Sequence, residues 1–290
     1  MALALLKSLR SAYSNLNPEE VRKLASRHLA IELVADSEEA YAAMEAFFLP
    51  AKTFDADRAL GLTTLHRATN PNRPARADIT IFEQGIACPH GSFTFYAENP
   101  ERTIEDILEE RDDLEIALAR QFLVFREAAI NRVIHRIAKE NALFTLVTAM
   151  PNIIPSLLEL PWAVGEYATD SAFLTINQIR MVFLIAAASG REVGFGEQKA
   201  EMVGIVASAF GWRALARELI GKIPLGGGLI PKAAVAWAGT FVVGRGVEQV
   251  YLTGDRIRRN EHKELYAHAV EKGKQVAGNL LHTLRKPTAA

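Results

Sequence analysis

The residues whose types could do chemistry lie in a few short stretches. Three consecutive glycines, Gly226 to Gly228, stand shortly before Lys232. In a phosphate-binding loop such a combination supplies open backbone amides and a cation. That loop also needs a strand ahead of its glycines and a hydroxyl beside its lysine at the head of a helix. Here Ile223-Pro224-Leu225 precedes the glycines and Pro231 separates them from Lys232, so the stretch reads instead as the end of one helix and the release of the next. Cys88-Pro89-His90 could offer two metal ligands, but no second Cys/His pair stands at zinc-like spacing, and a loop thiol is the simpler reading. His262 and His268 are six residues apart and do not share a helical face, which makes them polar-face residues. No GxSxG or HExxH organises the serines, histidines and acids. Glu109-Glu110 and Asp112-Asp113 read as charged surface. The sequence thus assigns no catalytic, cofactor-binding or metal residue, and it predicts a protein that is not an enzyme.

The turn after the first expected strand, LVADSEEAYAAM, is where a GTPase-shaped unit would place its phosphate loop. It has neither glycine nor lysine, and Asp36, Glu38 and Glu39 would repel a triphosphate. After SFTFY, where a guanine-reading Asn/Thr-Lys-x-Asp would follow a strand, the chain carries Ala97-Glu98-Asn99. A unit of this shape is expected to be non-hydrolysing.

The elements that must position these residues follow from caps and periodicity. Asn17-Pro18-Glu19-Glu20 starts a helix to about His28: an Asn cap, a proline whose missing donor is harmless, and acids at the positive end of the dipole. Residues 29–35 read as a strand, and Asp36-Ser37-Glu38-Glu39 caps a second helix through Phe48 that Pro50 ends. Leu62–Leu65 reads as a short strand, and residues 78–82 and 92–96 as two further strands in a small parallel sheet. From Asn99-Pro100 the pattern is helical. Leu114, Leu118, Phe122, Phe125, Ala129, Val133 and Ile137 recur at helical spacing, which predicts one long helix over 113–150. Pro151 and Pro155 interrupt the next stretch, and helices are expected at 157–168, 170–189, 196–209, 212–222, 231–251 and 255–284.

At 290 residues with 49% hydrophobic content, the chain can bury a real core, in one domain or two. A net charge of −1 makes no case for a nucleic-acid partner. One cysteine excludes an internal disulfide and fits a reducing compartment. The start, MALALLKSLRSAY, predicts no secretory signal. Residues 143–250 hold 16 charges, and the tail from Tyr251 to Ala290 holds eight Lys/Arg against four Asp/Glu. An apolar region therefore precedes a basic end, which suits a cytoplasmic face or anionic headgroups, or equally a solvated helix.

A membrane-spanning helix wants about 20 apolar residues. The longest charge-free run in the apolar region, 141–158, has 18 and includes two prolines and two asparagines. Arg180 interrupts another run at a cost of about 2.5–3.5 kcal/mol on insertion scales, and Lys232 could snorkel at the edge of a third. A buried helical core, a re-entrant hairpin or a surface-lying helix fits better than ordinary spans. Gly239 and Gly244, with Ala234 and Ala238, form a small-residue seam for close helix packing. The direction of the faces bearing Phe183, Trp237 and Phe241 decides whether lipid, a partner or the chain itself covers them.

AKENALFTLVTAMPNIIP, LTINQIRMVFLIAAASG, AFGWRALARELIGKIPLGGG and KAAVAWAGTFVVGRG, in that order, resemble the YcjF-type domain, a domain also found behind Era-like GTPase domains in bacteria. The resemblance covers about residues 141–251. Asn141, Pro151, Pro155, Asn177, Gln178, Gly190, Gly211, Arg213, Pro224, Lys232, Thr240 and Gly244 fall where such blocks carry them. Asn152-Ile153-Ile154 departs from a Gly-Ala-Asp of many relatives. The resemblance implies an α-helical, membrane-associated domain and brings no catalytic residues with it.

The expectation is an α+β, predominantly α-helical protein. A degenerate α/β unit over 1–112 precedes a connecting helix, a hydrophobic helical domain and a basic tail over 113–290. Its interaction or packing residues are Gln178, Arg180, Arg213, Lys232, Gly239, Thr240 and Gly244. The expected function is a non-enzymatic, membrane-associated interaction module without a cofactor. It would sit on the cytoplasmic face of the bacterial inner membrane, peripheral or embedded, and engage lipid, a bacterial GTPase or a second copy of itself. The alternative is a cytoplasmic nucleotide or small-molecule binder with a non-hydrolysing GTPase-shaped domain.

Overall fold

A computed structural model describes residues 17–51, 55–71, 74–149, 170–205 and 228–285. The expected helices at 157–168 and 212–222, the breaks at Pro151 and Pro155, and Arg213 lie outside the described residues. The chain is predominantly helical with one small parallel sheet. It divides into two compact units, one of Arg22–Asn131 with Ala186–Glu192 and the other of the described residues on either side. The division falls later than the expected 112/113, because the core of the sheet unit continues through the helical residues as far as Asn131.

In the sheet unit, β1 (Ile31–Val34), β2 (Leu65–Arg67), β3 (Ile79–Glu83) and β4 (Phe93–Phe95) pair in the order β2-β1-β3-β4. All pairs are parallel, with Ile31 opposite both Leu65 and Ile79, and Ile81 opposite Phe93. Alternate residues Ile31, Leu33, Ile79, Ile81, Phe93 and Phe95 are buried, as the two-residue period of a strand requires. Helix α1 (Pro18–Ala25) precedes the sheet, and the Asn17 side chain accepts from the Glu19 amide at 3.0 Å. Helix α2 (Glu38–Phe48) is capped by Ser37, whose hydroxyl accepts from the Ala40 amide at 3.0 Å. Helix α3 (Asp55–Thr64) runs directly into β2. The expected strand at 62–65 is thus displaced: only Leu65 of it is extended, and the pairing with β1 carries the strand on to Arg67.

Helix α4 (Pro100–Glu110) starts with its proline in the first turn. Its Thr103 hydroxyl donates to the Thr94 carbonyl (3.1 Å) and accepts from the Tyr96 amide (3.0 Å). A single hydroxyl thus ties α4 to the backbone at and just beyond β4.

The single long helix expected over 113–150 is broken. A 3-10 turn at Asp112–Leu114 leads into α5 (Glu115–Gln121), Phe122 is extended (φ −125°, ψ 117°), and α6 (Leu123–Thr148) follows. The seven apolar positions that suggested one helix are all buried nonetheless. Phe122 and Phe125 both reach Phe48, with ring centroids 5.5 and 5.9 Å away.

Further helices are α7 (Asp170–Ala188), α8 (Leu229–Thr253) and α9 (Arg259–Arg285), and residues 199–205 are helical within the expected 196–209. Gly190, at φ 75°, ends α7 in a left-handed turn, and the Arg191 amide bonds back to the Ala186 carbonyl at 2.9 Å. Gly228 caps the start of α8, and Pro231 sits in its first turn, where no amide partner is missed. Gly254, at φ 81°, ends α8, and α9 folds back along it. The two approach so closely that a β-carbon on Gly273 would lie 2.7 Å from the Ala234 carbonyl oxygen.

Candidate functional site

The helical unit brings together side chains from three helices into a buried polar ladder. Arg180 of α7 is 1% exposed. Its Nη1 donates to Glu140 Oε2 (3.0 Å) and to Asn177 Oδ1 (3.3 Å), and its Nη2 donates to Glu140 Oε1 (3.3 Å). Asn177 in turn donates to Asn141 Oδ1 (2.8 Å), and Asn141 donates to Thr240 Oγ1 of α8 (2.7 Å) and to the Leu174 carbonyl (3.4 Å). Gln178 reaches the same hydroxyl at 3.4 Å, and Thr240 donates to the Ala236 carbonyl at 2.9 Å. Burial lowers the pKa of Arg180, and the Glu140 carboxylate opposes that shift.

Three of the seven sequence candidates, Gln178, Arg180 and Thr240, thus meet at one place. The ladder also needs Glu140 as the counter-ion, which spacing along one helix could not reveal because its partner is on another. Gly244 lies against Ile134 and Met181, and a β-carbon there would come within 2.8–3.0 Å of their side chains. Gly239 is buried beside Thr240, whereas Lys232 is exposed at the start of α8 and joins neither group. Phe183 and Trp237 are 0% and 1% exposed, and Phe241 is 9%. Trp237 and Phe241 stack at 4.8 Å, so these three faces point into protein. No described helix is long and apolar enough to cross a membrane.

In the sheet unit the relevant place is the carboxyl end of the strands, between β1 and β3, where the order of the sheet reverses and parallel α/β folds hold their ligands. Carboxylates already fill it. Glu83 Oε2 accepts from the Asp36 amide at 3.0 Å. Arg67 donates to Glu45 (2.7 and 3.0 Å) and to Glu38 (2.6 Å) while resting on the Tyr41 ring, and these bonds raise its pKa. A phosphate between β1 and β3 would therefore meet Glu83, while Glu38 and Glu45 already hold Arg67 at the end of β2.

At the opposite end of the sheet, Arg27 bonds Asp78 (3.3 Å) and Asp113 (3.0 Å), Arg111 grips both oxygens of Asp113, and its Nη1 donates to the Asp78 carbonyl. The Arg111 hydrogen bond, aided by Arg27, holds the Asp113 carboxyl below its ordinary pKa. This clamp ties the starts of β1 and β3 to the chain after α4 and reads as stability. Among the described residues no three His, Cys, Asp or Glu side chains gather as a metal site, and Cys88 is exposed. His262 is half-buried and His268 exposed on α9.

Comparison with protein-family models, curated proteins and solved structures returns no match to this chain.

Proposed function

We propose that the chain is a non-enzymatic interaction module, peripheral to the cytoplasmic face of a bacterial membrane, whose helical unit presents a rigid surface to a partner. The observation that carries this reading is the buried ladder. The polar groups of the helical unit best suited to chemistry, Arg180, Asn141, Asn177 and Thr240, bond to one another and to Glu140 inside the protein. A ladder of this kind fixes which helices pair, and in what register, rather than acting on a substrate. The buried faces of Phe183, Trp237 and Phe241 favour attachment at the membrane surface over insertion of these helices. The resemblance to the YcjF-type domain favours the same setting and makes a bacterial GTPase the first partner to try, with a second copy of the chain as the other.

Membrane fractionation of cells expressing the chain tests this reading. A peripheral protein sediments with membranes and is released by carbonate without detergent. Recovery wholly in the supernatant before any wash would reject it.

The order of the parallel sheet favours a second reading, a small-molecule binder using the crevice between β1 and β3. With Glu83 and Glu38 in place, its ligand would be neutral or cationic, not a triphosphate. Calorimetric titration with neutral and cationic small molecules, such as nucleosides and polyamines, separates the two, since saturable heat with any of them would promote binding over docking, whereas GTP and ATP should give none.

A further inference from the structure

We draw no further inference here: the strongest candidate, the cleft of about 300 Å³ between β4 and α4 lined by Ser92, Thr94, Tyr96, Asp106, Glu109 and Glu110, rests on a cluster of surface carboxylates alone, and nothing in the structure shows what fills it.

Discussion

Asn141 on α6 and Thr240 on α8, 99 residues apart in the chain, are joined by a buried hydrogen bond of 2.7 Å. Thr240 offers one hydroxyl to two amides, Asn141 and Gln178, and passes its own proton to Ala236. One atom thus links three helices. Thr240→Val keeps the shape and removes that atom, leaving buried amide donors without an acceptor. We expect a loss of about 1–3 kcal/mol, read from urea denaturation. Thr240→Ser, which keeps the hydroxyl, should retain most of the stability.

Glu140 and Arg180 form a buried pair in which each guanidinium nitrogen that reaches the carboxylate does so within 3.3 Å. Arg180→Met leaves Glu140 with its carboxylate uncompensated, and a loss of about 3–5 kcal/mol is expected. Glu140→Gln/Arg180→Met removes both charges and should be markedly more stable than Arg180→Met alone. Thermal denaturation of the three proteins checks the order.

Gly244 and Gly273 are both held by close helix packing. At Gly244 a new β-carbon would lie 2.8–2.9 Å from the γ-carbons of Ile134, a buried β-branched side chain with little freedom to turn, and at Gly273 it would meet the backbone of Ala234. Alanine in a helix interior gains about 1 kcal/mol over glycine, which offsets only part of the overpacking. Gly244→Ala and Gly273→Ala should each cost about 1–3 kcal/mol, read from urea denaturation, and the Gly273 change should cost more because backbone cannot give way.

Asp113 carries an acid-dependent part of the stability of the sheet unit. The bonds from Arg111 and Arg27 lower its pKa in the folded state. The contribution is therefore present above the unfolded carboxylate value, about 3.9, and is lost as pH falls through the lower folded value. Asp113→Asn should flatten that acid limb in a denaturation series between pH 5 and the acid midpoint, with little change in slope near neutrality.

Tyr266 behaves in the opposite sense. Burial raises the pKa of its phenol to about 12, so its contribution is complete below the unfolded value of about 10 and is lost as pH rises through 12. Ultraviolet titration should show one tyrosine ionising about two pH steps later than an exposed one, and Tyr266→Phe should remove that late step.

Much of the secondary structure was legible because its causes are local. Asn17 and Ser37 cap the helices they were expected to cap, and Pro100 opens α4. Gly228 opens α8 where the triple glycine suggested a release. Alternating burial in β1 and β3 follows from Ile31, Leu33, Ile79 and Ile81. The break at Phe122 was not legible, because Leu114 to Ile137 keep helical spacing on both sides of it and neither proline nor glycine marks the place. Gln178, Arg180 and Thr240 could be singled out by residue type, but not joined.

The sequence by itself determined which segments coil or extend, which faces are apolar, and that the turn after β1 is acidic, since caps, periodicity and charge act over a few residues. Only the tertiary structure decided that Glu140 belongs with Arg180, that Asn141 belongs with Thr240, and that Phe183, Trp237 and Phe241 turn inward. Those outcomes depend on which helix lies beside which, and that is set by packing and desolvation across many residues of intervening chain.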